Sequence, residues 1–257
     1  MDAVSPNHGV RRSGALPDMV VLHYTGMESA AAARARLCDP SAEVSAHWLV
    51  DLDGTAEALV PEGRRAWHAG VARWGDVRDV NSRSIGIELV NPGTGPAAHS
   101  FPEAQMRALE GLLREIMGRH AVVAERVVGH ACVAPGRKAD PGPRFDWRRL
   151  ALQGLAVWPW EADAARPPRR PRPPTRRRGA RAAPAPAARR FAEAARAFGY
   201  PVEAGVWDEG LLAVWRVFAE RFCPWCAGEP GAEDGLLRVE ELARRWPVAL
   251  DRGAGAV

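Results

Sequence analysis

The sequence predicts a mixed α/β domain followed, across a charged linker, by a small helical module. Three observations carry this. Short apolar runs ending in polar residues alternate with helix-favouring segments over roughly the first 160 residues. An arginine- and proline-rich stretch then interrupts every hydrophobic pattern, and beyond it three segments of helical character return. The 257 residues, 47% apolar, suffice for one sizeable core and an appendage.

MVVLHY (19–24) reads as a buried strand with His23 and Tyr24 at its C-terminal end. ESAAAARARLC (28–38) favours a helix, which Pro40 stops. AHWLVDLDGTAEALV (46–60) is two strand-like runs joined through Asp53-Gly54, a hairpin signal. SIGIELV (84–90) is a further buried strand that carries Glu88 inside an apolar run. PEAQMRALEGLLREIMGRH (102–120) begins with proline and sets Met106, Leu109, Leu112, Leu113, Ile116 and Met117 at helical spacing, a core stripe to lay on a sheet. RVVGH (126–130) is a last short strand ending in His130, and a proline- and glycine-rich loop runs from it to Pro143. Segments 190–198, 208–221 and 234–246, with Trp207, Trp215 and Trp246, form the helical module. The domain boundaries expected are 1–160, a linker at 161–190, and 191–257.

The net charge of +4 belongs to the linker: between Arg166 and Arg190 lie ten arginines, seven prolines and no acid, and without those ten charges the balance is −6. Proline fixes φ and the arginines repel, so an extended, solvated tether is expected, with nucleic-acid binding by clustered arginines as the less favoured alternative. No run approaches the ~18 apolar residues of a membrane span, and the first residues hold no apolar stretch suited to a secretory signal. A cytoplasmic protein that does not engage membranes is expected, with a periplasmic or envelope location as the alternative. Cys38, Cys132, Cys223 and Cys226 are too few and scattered for a disulfide scaffold.

Hydrolytic zinc needs about three protein ligands plus a position for water. His23 and His130 end two strands, and Asp140 follows ten residues later in a stiff loop, although each alone also reads as a core or surface residue. Glu88 in its apolar strand is a carboxylate with a raised pKa, suited to accepting a proton, unless the strand lies at an edge and the residue faces solvent. Lys138 is the single lysine against thirty-four arginines, which points to a place where a compact ammonium is needed.

VVLHYTGM, SAHWLVDLDG, AWHAGVARW, SIGIELVN and GHACVAPGRKADPGP, in this order and spacing, resemble the AmpD-like N-acetylmuramoyl-L-alanine amidases, relatives of peptidoglycan recognition proteins, over about residues 5–160. The resemblance implies a mixed central sheet flanked by helices and Zn2+ held by His23, His130 and Asp140. By the same resemblance Glu88 is the general base and Lys138 stabilises the oxyanion, in one-step hydrolysis of the bond between the muramoyl lactyl group and L-alanine. His47, Trp67 and His68 match residues that line or support the cleft, with a core role as the alternative, while Tyr24, Arg78, Asn81 and Asn91 are candidates to meet sugar or peptide. Where related amidases place an arginine for the peptide carboxylate, this chain has Asp79, with Arg78 one place earlier. Expected partners are peptidoglycan fragments or glycan strands, met by a monomer. A peptidoglycan recognition protein that binds without cutting is the rival reading.

The start of the C-terminal module resembles small three-helix peptidoglycan-binding domains, a match that weakens beyond Phe222. There CPWCAGEPGAEDG intervenes. A CxxC such as Cys223–Cys226 is suited to binding metal or cycling as a disulfide, but no second CxxC completes a zinc site, and the favoured reading is a tightened helix end.

Overall fold

The computed structural model describes residues 4–164 and 185–248. In chain order these build β1 (His8–Gly9), β2 (Met19–Tyr24), α1 (Ala30–Cys38), β3 (Trp48–Val50), β4 (Ala56–Ala58), β5 (Arg65–Ala66), α2 (Val80–Arg83), β6 (Ser84–Leu89), α3 (Glu103–His120), β7 (Val127–Gly129), α4 (His130–Val133), α5 (Trp147–Leu152), α6 (Trp160–Ala164), α7 (Ala185–Phe198), α8 (Glu209–Phe222) and α9 (Glu233–Arg245). Most of the expected linker lies outside the described residues; of its two ends, Glu161–Ala164 belong to α6 and Ala185–Arg190 to α7.

The main sheet has the order β4-β3-β6-β2-β7. Strands β3, β6, β2 and β7 run parallel, and β4 closes one edge antiparallel to β3. The expected mixed sheet with flanking helices is therefore present. The β3–β4 hairpin turns at the Asp53-Gly54 pair, where Asp53 Oδ1 accepts from the Thr55 amide at 2.8 Å. Ser29 caps α1 by accepting from the Ala32 amide. His130 was expected to end a strand; it instead opens α4, because β7 stops at Gly129.

Helix α3 starts after Pro102, whose carbonyl accepts from the Met106 amide at 2.9 Å, and ends at Ala121 in the left-handed region. It buries Met106, Leu109, Leu112, Leu113 and Ile116, while Met117 stays half-buried. Burial of each such side chain stabilises by roughly 1.5–3 kcal/mol. Buried Gln105 donates to the carbonyls of Val50 and Val90, each at 3.0 Å, and so pins the helix to the C-terminal ends of β3 and β6. That fixes the edge of the sheet where the chemistry-bearing residues emerge.

The chain divides into two compact units. One comprises Met1–Ala72, Val77–Ala134 and Lys138–Val157; the other comprises Arg73–Asp76, Pro135–Arg137 and Trp158–Val257. In the second, α7 turns a face of small alanines and two phenylalanines inward and packs mainly against α9. Phe191 meets Trp215 and Phe218 edge-on at 5.0 and 5.4 Å, and stacks on Trp207 at 5.8 Å. Trp246 instead carries the Arg245 guanidinium over its ring. No helix among the described residues is long and apolar enough to cross a membrane.

Candidate functional site

Three neighbouring parallel strands deliver the candidate residues to one edge, the place where parallel sheets bind ligands. His23, next to last in β2, is the register partner of Glu88 in β6. Leu22 pairs with Gly129, so the residue following β7, His130, arrives beside His23. Asp140 returns to the same point on the loop that follows, and its carbonyl accepts from the Ala131 amide at 2.9 Å. Gly129 permits this crossing, since a Cβ there would stand 2.6 Å from Pro141 Cδ.

All three side chains are buried, His23 at 1%, His130 at 3% and Asp140 at 6% exposure. His23 Nδ1 lies 2.8 Å from Asp140 Oδ2, His130 Nδ1 lies 3.0 Å from the same oxygen, and the two Nδ1 atoms are 2.9 Å apart. The proton positions follow from the far side of each ring. Ser84 Oγ donates to the Val80 carbonyl at 2.6 Å, so it accepts from His68 Nε2 at 3.1 Å. His68 Nδ1 is then an acceptor, and takes the Nε2 proton of His23 at 3.0 Å. His130 Nε2 donates to the Ala69 carbonyl at 3.1 Å. With the rings neutral, this arrangement leaves both Nδ1 atoms as bare lone pairs facing a carboxylate oxygen. Such a cluster repels itself unless a cation lies within it.

Two imidazoles and one carboxylate match the donor set of hydrolytic zinc, which would keep a further position for water or substrate. These three residues form a group able to hold a metal ion. Burial, and then the neighbouring His130, push His23 down to about 4, so it is a neutral donor at pH 7. Burial and the surrounding imidazoles also hold His68 well below the usual histidine range.

Glu88 is half-buried beside this cluster. Its Oε2 is enclosed without a hydrogen-bond partner, and burial, then the Asp140 charge, raise its carboxyl well above the usual range against the pull of Lys138. The solvent-facing edge alternative does not hold, since β6 is the central strand. Lys138 is exposed, and its charge reaches both Glu88 and His23.

The remaining candidates separate. Tyr24, half-buried on β2, lays its ring against Gly93 and Gly142. Asn81 is buried, and its Oδ1 accepts from the amides of His68 and Ala69 at 3.1 and 2.8 Å, holding the two groups that orient His23 and His130. Asn91 is buried with its side chain turned to the Gly93 amide and the His99 carbonyl. His47 packs edge-on behind His68, 5.7 Å between ring centroids, and is fully buried: its Nδ1 accepts from the Gly86 amide at 2.9 Å, and its Nε2 meets the Arg64 carbonyl and the Arg11 guanidinium. Trp67 is half-buried, and its amide donates to Ser45 Oγ. Arg78 is exposed, whereas Asp79 caps α2 and pairs with Arg65 at 2.9 Å.

Sequence reading missed Ser84, the Ala69 carbonyl and Arg11. Their roles come from proximity in the fold, and the one hint in the sequence is Gly86, where a Cβ would stand 2.5 Å from the His68 ring.

The family model for N-acetylmuramoyl-L-alanine amidase matches residues 13–143. Over 153 residues the chain is 40% identical to N-acetylmuramoyl-L-alanine amidase AmiD of Escherichia coli (strain K12), covering 55% of this chain and 54% of that protein. Over 163 residues it is 33% identical to 1,6-anhydro-N-acetylmuramyl-L-alanine amidase AmpD of Enterobacter cloacae, covering 57% and 85%. The chain thus spans about half the length of the first relative and most of the second. Among solved structures, E. coli AmiD in complex with the substrate anhydro-N-acetylmuramic acid-L-Ala-D-gamma-Glu-L-Lys aligns with TM-score 0.70 at 30% identity, over 91% of this chain and 90% of that one. AmpDh3 from Pseudomonas aeruginosa in complex with anhydromuramic pentapeptide aligns with TM-score 0.72 at 28% identity, over 92% and 94%.

Proposed function

The chain belongs to the N-acetylmuramoyl-L-alanine amidase family, and from that premise we propose that it hydrolyses the amide between the lactyl group of N-acetylmuramic or anhydro-N-acetylmuramic acid and L-alanine, in peptidoglycan turnover or recycling. The observation that carries this reading is the convergence of two bare imidazole nitrogens and a carboxylate oxygen beside the enclosed oxygen of Glu88. His23, His130 and Asp140 hold a zinc ion, which when bound supplies Lewis acidity toward water and the scissile carbonyl. Glu88, its proton affinity raised by burial, takes a proton from the attacking water and delivers it to the departing L-alanine nitrogen. Lys138 places its ammonium against the charge that grows on the carbonyl oxygen.

Around this centre His68 and Asn81 orient the ligands, and Tyr24 walls the approach at the end of β2. Because Asp79 is occupied by Arg65, the exposed guanidinium of Arg78 is the group on that loop available to a peptide carboxylate.

The test is release of L-alanyl peptide from a defined anhydromuropeptide, with and without a chelator. Zinc-restorable cleavage is expected, with kcat lowered on the order of 10²-fold or more in both Glu88→Ala and Lys138→Ala. A zinc-replete wild type that binds the muropeptide without cutting it overturns the proposal in favour of recognition without catalysis.

A further inference from the structure

Cys223 and Cys226 close the end of α8 and have no part in the chemistry above. The Cys226 amide donates to the Cys223 carbonyl at 2.7 Å, a turn that keeps their Cα atoms within about 7 Å, close to the span a disulfide bridges. Both residues are buried, and their thiols hydrogen-bond to each other. Two buried thiols are also simple apolar filling, and a second observation separates the readings. Arg238 on α9 is 2% exposed and pairs through Nη2 with Asp163 at 2.7 Å and, more loosely, through Nε with Asp234 at 4.0 Å, while its Nη1 has no hydrogen-bond partner. Its charge acts on both sulfurs, against the opposing charge of Asp234 and, at Cys226, of Glu229. Its guanidinium lies 4.9 Å from the ring of Trp225, the partly exposed residue between the two cysteines. A buried guanidinium favours a thiolate near it, but at Cys226 the Asp234 charge opposes it more strongly, and the hydrogen bond from Cys223 is what brings that thiol down.

We propose that Cys223 and Cys226 are a redox-active pair that closes to an intramolecular disulfide by exchange with a small-molecule disulfide of the glutathione class. The hydrogen bond from Cys223 lowers the Cys226 thiol, while Cys223 itself is raised, so Cys226 ionises first. The Cys226 thiolate attacks one sulfur of the reactant disulfide, whose S–S bond breaks and releases a thiolate that takes up the proton Cys226 lost. Cys223 then gives up its proton and attacks Cys226 Sγ, and the mixed disulfide breaks to release the second thiol. The pair loses two electrons and two protons, and the reactant gains both. Closure locks the turn whose Cys226 carbonyl accepts from the Trp215 indole at 3.2 Å, at the centre of this unit's aromatic core.

The full chain is refolded from denaturant in anaerobic buffers of graded reduced and oxidised glutathione, so that burial does not limit access. Differential alkylation and peptide mass then read the state of each cysteine. The expected result is loss of about 2 Da confined to the peptide spanning Cys223 and Cys226, varying with the glutathione ratio and reversed by dithiothreitol. Cys223→Ser is expected to leave a glutathione adduct on Cys226. In the reduced wild type, alkylation of Cys226 is expected to half-titrate below an ordinary thiol, and Arg238→Met to slow it about tenfold at pH 7 where Arg238→Lys does not. A folded protein whose pair stays reduced at every ratio, or forms only adducts, overturns the proposal. Should Arg238→Met fail to fold, the wild-type alkylation profile decides, and an unshifted or raised Cys226 titration counts against the proposal.

Discussion

A single hydroxyl decides which nitrogen of His23 carries the proton. Ser84 spends its hydrogen on the Val80 carbonyl, and this choice passes through His68 to leave His23 Nδ1 bare. Replacing Ser84 by alanine removes the acceptor for His68 Nε2, so His68 is free to adopt the other tautomer and compete for the proton arrangement at His23. The expected outcome is a metal affinity lower by roughly 10–100-fold in Ser84→Ala, read by competition with a chromophoric chelator, with the fold retained. Unchanged affinity would show that the relay does not set the donor. That His23, His130, Asp140 and Glu88 belong together was expected from five ordered motifs that resemble an amidase family, since position at a strand end or in a loop left each of them open to a core or surface role. Ser84 and the Ala69 carbonyl were not legible, since a serine opening a strand and a peptide oxygen carry no chemical signature until the fold sets them against an imidazole.

Between elements, Glu62 does the joining that no periodic pattern announces. It sits in the turn after β4, and its carboxylate accepts from the Trp48 indole of β3 at 2.9 Å and from Arg119 and His120 in the last turn of α3 at 2.7 and 2.6 Å. Against the upward push of burial, those hydrogen bonds bring its carboxyl from 4.5 down to about 2. The folded-state value lies below the unfolded one, so the stabilisation is complete above about pH 4.5 and drains away as pH falls toward 2. Glu62→Gln is expected to cost roughly 2–3 kcal/mol at pH 7 and little at pH 2, flattening the acid limb of stability measured by urea unfolding across that range. Equal losses at both ends would remove the charge from the explanation. The strands and helices themselves were readable from period and turn residues: Asp53-Gly54 gave the hairpin, and the α3 stripe gave its buried face. Strand order was not readable, because adjacency of β2 to both β6 and β7 rests on long crossovers whose pairing local sequence does not encode.

At the scale of the whole molecule, the candidate ligands couple metal binding to folding. His23 lies 107 residues before His130 and 117 before Asp140, so an unfolded chain offers no such cluster and a metal ion distinguishes the native state from all others. Free metal at a thousand times its dissociation constant then stabilises by about 4 kcal/mol, which for a domain of this size is a shift of roughly 8–16 °C in Tm. Calorimetry of the zinc-loaded protein with and without an excess of chelator is expected to show that drop, reversed by returning zinc. The same comparison on His23→Ala is expected to show almost none, because two ligands remain and the tight site is lost. Identical Tm values for loaded and chelated wild type would mean that the bare nitrogens and the carboxylate hold no ion in the native state. The amidase mechanism proposed for them would fall on thermodynamic grounds, before any substrate was offered.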